Sequence, residues 1–206
     1  AQFLFSSDSK LENVNLVSMY PFKIKTQDEL ELVSYLTMPK EANYVPGKKT
    51  HTPVPLILLV HGGPNARDEW GFSPMVQWLA NRGYGVLQVN YRGSTGFGKK
   101  FVNAGDGEWA AKMQRDIEDA ADWAIQEGIT THDKIGIMGG SYGGYATLVG
   151  MTMTPERYAL GVDIVGISNL ETFIHTIPPY WKPARAHLNK MMGVDVDNEV
   201  SKALLF

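Results

Sequence analysis

The apolar positions of this chain fall into short continuous runs separated by stretches of helical spacing. Leu56-Ile57-Leu58-Leu59-Val60, Gly85-Val86-Leu87-Gln88-Val89, Ile135-Gly136-Ile137-Met138 and residues 160–166 read as strands. The first of these is apolar throughout, as expected where helices cover both faces of a sheet. Between them, Phe72, Met75, Val76, Leu79 and Ala80 share a helical face that stops at Arg82-Gly83. Met113, Ile117, Ala120, Ala121 and Ala124 make a second stripe, in a region opened by Asp106-Gly107-Glu108-Trp109 and stopped at Gly128. Residues 142–153 predict a third helix, rich in small residues and closed by Pro155. Upstream, Met19, Phe22 and Ile24, then Leu30, Leu32, Val33, Tyr35 and Leu36, predict two strands around a polar turn at 25–29, an antiparallel hairpin at a sheet edge. Residues 40–55 read as an exposed loop, and Pro178-Pro179-Tyr180-Trp181-Lys182-Pro183 as another, whose aromatics either line a pocket or pack over the core.

This alternation predicts an α/β fold: a mostly parallel sheet with helices on both faces. Residues 1–18 are weakly periodic and read as a leader or linker, which leaves 19–206 as one domain. Past residue 170 no further buried strand is expected. The start lacks both an initiator methionine and a signal-peptide pattern, and reads as a processed or excised end.

Composition narrows the chemistry without naming it. The 206 residues are 44% hydrophobic, with 19 Lys and Arg against 22 Asp and Glu and no charged run, so neither nucleic acid nor an anionic membrane surface is favoured. The absence of cysteine removes thiol catalysis and thiolate metal sites. It is compatible with either redox compartment; the cytoplasm is the expectation. No stretch reaches the roughly 20 apolar residues that cross a bilayer.

The candidate chemistry lies where strands end in glycine. Gly139-Gly140-Ser141-Tyr142-Gly143 contains Gly-x-Ser-x-Gly between a strand and a helix, which predicts a strained turn presenting the Ser141 hydroxyl. Gly139 and Gly143 leave room for strand and helix, and the helix start directs free N–H groups toward an oxyanion. A plain glycine-rich turn with Ser141 as a helix cap is the alternative. His61-Gly62-Gly63-Pro64 ends the first long strand, where Gly62 and Gly63 allow close backbone approach to a ligand; His61 reads as a structural histidine that fixes this loop. Residues 90–98 form a third glycine-rich loop, in which Arg92 either binds a substrate carboxylate or pairs internally as a brace. Asp116 and Asp119 read as solvated or ion-paired helix residues; no metal or cofactor is predicted. In a parallel sheet the three loops converge at the carboxyl edge, where ligands bind.

His61-Gly62-Gly63-Pro64, Asn90-Tyr91-Arg92-Gly93-Ser94 followed by Gly96 and Gly98, Gly105-Asp106 with Trp109, Asp116 with Asp119, and Gly139 to Gly144 stand in one order along the chain. This set resembles the alpha/beta-hydrolase domain of the prolyl oligopeptidase family, most closely its acylaminoacyl-peptidase-like branch, over roughly residues 19–180. The resemblance implies a serine peptidase acting on oligopeptides or N-acylated peptides through an acyl-enzyme. Ser141 is the implied nucleophile and Tyr142 supplies one oxyanion amide. Gly63 supplies the other, since some relatives use a tyrosine hydroxyl where His61 stands.

The family order is serine, then acid, then histidine, and 65 residues follow Ser141. His175 and His187 precede Asp195 and Asp197, which reverses that order, and Asp195, Asp197 and Glu199 follow no apolar strand. The catalytic Asp and His are therefore expected beyond Phe206, and the C-terminal part of the fold is expected to be missing. Relatives also carry an N-terminal β-propeller, but 18 residues fall short of one blade of roughly 40. Two other readings remain: an esterase or lipase-like serine hydrolase, and a non-enzymatic interaction fragment. An incomplete sheet would also leave an apolar edge open to self-association.

Overall fold

Residues 9–12, 14–48, 52–195, 198 and 201 are described by the structure, a computed structural model. Asp197, Glu199 and Phe206 lie outside the described residues. Along the chain run β1 (Met19–Lys25), β2 (Glu31–Thr37), β3 (Leu56–Val60), α1 (Pro74–Asn81), β4 (Gly85–Val89), α2 (Lys99–Asn103), α3 (Lys112–Gln126), β5 (Ile135–Gly140), α4 (Tyr142–Met153), β6 (Leu160–Ile164), α5 (Leu170–Thr176) and α6 (Arg185–Met192). The strands form one sheet in the order β1-β2-β4-β3-β5-β6. β4, β3, β5 and β6 are parallel, and the hairpin β1–β2 adds antiparallel to β4 at the edge. The predicted mostly parallel α/β sheet with an edge hairpin is the architecture found.

Strand alternation sorts the side chains into two layers. Leu56, Leu58 and Val60 of β3, Leu87 and Val89 of β4, and Ile135 and Ile137 of β5 join the larger core with Met113, Ile117, Ala120, Ala121 and Ala124 of α3 and Ala146 of α4. Ile57, Val86 and Met138 point the other way and pack with Val76 and Leu79 of α1. Each side chain of this size, fully buried, contributes roughly 1.5–3 kcal/mol of transfer free energy.

Three local expectations need correction. Phe72 and Met75 do not belong to the buried stripe: Phe72 is 54% and Met75 40% exposed, because α1 starts only after the Ser73 cap and docks through Val76, Leu79 and Ala80. Residues 179–184 are a run of 3-10 turn instead of a loop, and Tyr180 and Trp181 on it are exposed. The helical region after Asp106 begins late, at Lys112, since Ala110 takes a left-handed φ of 54° and breaks the path. The short helix α2, directly after the glycine-rich loop 90–98, had no pattern long enough to reveal it.

Candidate active site

Ser141 sits between β5 and α4 with φ 56° and ψ −116°, a strained conformation for a residue with a side chain. Two bonds hold it. Its N–H donates to Ile164 O of β6 at 3.0 Å, and its carbonyl accepts the N–H of Tyr145 at 3.0 Å. The flanking glycines leave no room for a methyl group. A Cβ on Gly139 would stand 2.5 Å from the Gly143 carbonyl and 2.6 Å from Val60 O, and one on Gly143 would overlap Val60 O. This packing lets α4 leave β5 at once, with the N–H groups of Tyr142, Gly143 and Gly144 in its first turn, where no intrahelical acceptor exists. Among the described residues, none hydrogen-bonds the Ser141 hydroxyl.

The loop after β3 lies against this turn. A Cβ on Gly62 would meet Gly140 O at 3.0 Å and the Ser141 Cβ at 3.4 Å, so the backbone of residue 62 is in contact with Ser141. Gly63 has φ 121° and is exposed, and among the described residues its N–H has no acceptor. His61 fastens this loop to the one after β4. Its Nδ1 lies 2.7 Å from Gly62 O and its Nε2 lies 2.9 Å from Ser94 Oγ, while its ring stacks on Tyr91 with centroids 4.4 Å apart. Burial pushes the imidazole pKa down, against the opposing pull of the Gly62 carbonyl. Asn65 Nδ2 donates to Gly93 O at 2.8 Å and Thr95 N to Ala66 O at 2.9 Å, which joins the two loops side by side.

Arg92 anchors the second loop to the body of the protein. Its backbone N–H donates to Asp116 Oδ2 at 2.7 Å, its Nε to the same oxygen at 2.9 Å, and its Nη2 to Asp116 Oδ1 at 2.7 Å. Nη1 and Nη2 also donate to Asp28 at 2.9 and 2.8 Å, so one guanidinium holds two carboxylates. Arg92 and Asp116 are buried. Burial works against the Arg92 charge, but the hydrogen bonds to Asp116 and Asp28 outweigh it and raise its pKa. Arg92 and the Thr26 hydroxyl hold the half-exposed Asp28 well below the usual carboxylate range. Asp119, by contrast, faces outward and accepts from Gln27 N and Nε2, each at 3.0 Å. Among the described residues there is no cluster of three metal-ligating side chains.

The chain carrying these loops is similar to a known group of enzymes. Residues 70–190 align with the prolyl oligopeptidase family. The chain belongs to that family. As a prolyl oligopeptidase-family member it is classed by sequence and fold with the serine peptidases, hydrolases of the alpha/beta type. It is 58% identical, over 92% of its length, to dipeptidyl aminopeptidase BIII of Pseudoxanthomonas mexicana. It is 46% identical, over its whole length, to dipeptidyl peptidase family member 6 of Caenorhabditis elegans. A puromycin-hydrolysing peptidase of Mycobacterium tuberculosis superposes on 96% of the chain with a TM-score of 0.82 and 26% identity. The chain spans 28%, 30% and 29% of these three proteins respectively.

Within this family domain, α6 touches the loop after β3 and the segment that follows α2. His187 Nε2 lies 3.1 Å from Asn65 Oδ1, Lys190 pairs with Asp106 at 2.7 Å, and Gly107 N donates to Met191 O at 2.8 Å. His187 thus contacts the loop of Gly63 and not Ser141. Asp195 accepts from Asn189 Nδ2 at 3.0 Å. Asn65 and Asp28 were not singled out by sequence reasoning, and Tyr91 and Ser94 were quoted only within a loop motif and given no role, although each holds the site. Ser94 and Asn65 carried a signal in their place within glycine-rich loops. Asp28 carried none, since its partner lies 64 positions away. Among the described residues no helix is long and apolar enough to cross a membrane.

Proposed function

We propose that Ser141 is the nucleophile of a peptidase that cleaves through an acyl-enzyme. The observation that supports this most is the contact of the strained Ser141 turn with Gly62, beside the unpaired N–H groups of Gly63 and Tyr142. In the reaction, Ser141 Oγ bonds to the scissile carbonyl carbon and its proton passes to a histidine. The oxyanion accepts from the amides of Tyr142 and Gly63, preorganised donors of the kind worth about 10²–10³ in rate each. The histidine then protonates the leaving amine, and water releases the acyl group. Gly139 and Gly143 give the turn its shape, His61 holds the Gly62–Gly63 backbone, and Arg92 holds the loop behind it. The histidine and its aspartate are assigned to sequence beyond Phe206, and the remaining length of the relatives leaves room for a propeller that screens substrates.

The substrate reading is a peptide. Two relatives, at 58% and 46% identity, carry dipeptidyl names, which favours release of dipeptides from a free N-terminus over removal of N-acylated residues. A fluorophosphonate probe should label Ser141 in the full-length protein, and Ser141→Ala should abolish labelling and lower kcat/KM for dipeptide anilides by at least about 10³-fold. Turnover that survives Ser141→Ala would sink the assignment. The 206 residues alone should turn over weakly; robust hydrolysis by them would place the base inside the chain.

A further inference from the structure

The loop that leaves β3 is fastened to β4 a second time, at Asp68. Its N–H donates to Asn90 Oδ1 at 2.8 Å, and Gln88 Nε2 donates to Asp68 Oδ1 at 2.8 Å. The other two oxygens of this side-chain pair, Asp68 Oδ2 and Gln88 Oε1, are both cut off from solvent and have no hydrogen-bond partner. Buried polar atoms are rarely left so, and two orphaned acceptors on the two members of one hydrogen-bonded pair share a simple explanation. A carboxylate only accepts, whereas a carboxylic acid also donates. One proton on Oδ2 would satisfy both atoms, with Oδ2 donating to Oε1 while Oδ1 continues to accept from Nε2.

The surroundings favour that proton. Among the described residues no cation pairs with Asp68. Arg67 and Glu69, its neighbours on the loop, pair with each other. β4 and its loop bring Gln88, Asn90 and the buried Tyr91, whose phenol is itself pushed up, by burial first and then by Tyr142 and Asp68. β2 brings Tyr35, opposite Gln88 in register. Burial pushes the Asp68 carboxyl up to about 6 against the pull of the Gln88 amide. A bond that only the neutral acid can make acts in the same direction as burial.

We propose that Asp68, while it carries its proton, forms a cyclic acid–amide pair with Gln88 that latches the loop bearing Gly62 and Gly63 onto β4. Asp68 is thus a positioning residue: it lies five residues beyond Gly63, on the segment whose Asn65 and Ala66 are bonded to Gly93 and Thr95. Its effect on reactivity rests on the Ser141 reading; the acid–amide pair does not.

The test uses the full-length protein with isotope-labelled aspartate, following carboxyl resonances from about pH 5 to about pH 9. One carboxyl should titrate at or above about 6 and vanish in Asp68→Asn, and the Gln88 side-chain amide resonances should shift with the same midpoint. Asp68→Asn supplies an amide that forms the same two bonds at every pH. A carboxyl raised in the folded state contributes stability that is complete below its ordinary value of 3.8 and is lost as pH rises through the folded value. The wild type should therefore lose melting temperature relative to Asp68→Asn across that interval, with a constant difference above it. Phosphonate labelling of Ser141 should slow several-fold over the same interval in the wild type alone. Absence of any Asp68 titration above the ordinary carboxylate range, or identical melting curves for the two proteins, overturns the proposal. Should Asp68→Asn not fold, Gln88 side-chain amide resonances that do not move with the Asp68 titration also overturn it. A wild type that never labels at Ser141 defeats the nucleophile assignment, while the carboxyl titration still decides Asp68.

Discussion

Arg92 shows how unevenly one side chain can distribute its influence. Its bonds to the fully buried Asp116 are shielded from water, whereas Asp28 keeps 46% of its side chain exposed. Breaking a buried pair by removing one partner leaves an unpaired charge and costs about 3–5 kcal/mol. Arg92→Met should lower unfolding free energy by that amount in denaturant titration. Asp28→Asn should cost no more than about 1 kcal/mol after solvent screening. The Asp28 contribution is complete above the ordinary carboxylate value of 3.8 and is lost as pH falls toward its depressed folded value. Equal losses for the two variants would mean that the buried Asp116 bonds matter no more than the exposed Asp28 ones.

At the scale of elements, what was legible depended on whether the signal is local. Gly-x-Ser-x-Gly between a strand and a helix is a local signal, and the apolar runs of β3 and β5 place their loops at one sheet edge. The stripe of α1 was misread because helical spacing identifies a shared face without saying where the helix starts. Ser73 is that start, although its hydroxyl is 3.4 Å from Val76 N, a weak cap. Asn169 is the stronger case: its Oδ1 accepts from Thr172 N at 2.8 Å and opens α5. Asn169→Ala should destabilise the protein by about 1 kcal/mol, and Ser73→Ala by clearly less, both read as shifts in thermal midpoint. The Asp28–Arg92–Asp116 brace was illegible for the opposite reason, because nothing in a turn announces a partner 64 positions away on the loop after β4.

For the whole molecule, the sheet is well covered at its centre and ends on one side in an exposed strand. Leu160, Val162 and Ile164 of β6, the strand that ends the order β1-β2-β4-β3-β5-β6, are each more than 40% exposed, and Val165 just after it is 85% exposed. An apolar edge of this kind is a template for pairing with another chain. The 206 residues on their own should self-associate in light scattering, and Val162→Lys should shift them toward monomer. Association that Val162→Lys leaves unchanged would place the contact elsewhere, with the exposed Trp70 and Trp78 as the next surface to alter.

The contacts that hold the loops around Ser141 join residues far apart in the chain: 24 positions for Arg92 and Asp116, 64 for Arg92 and Asp28, and 122 for His187 and Asn65. Closing such distances is entropically dearer than closing a helical turn, and more of the chain must already be in place. The serine turn is no exception, since the Ser141 N–H reaches Ile164 O and Gly143 packs on Val60 O. Its shape is therefore a property of the assembled sheet: a peptide cut out around Ser141 would keep the sequence of the turn and lose its geometry.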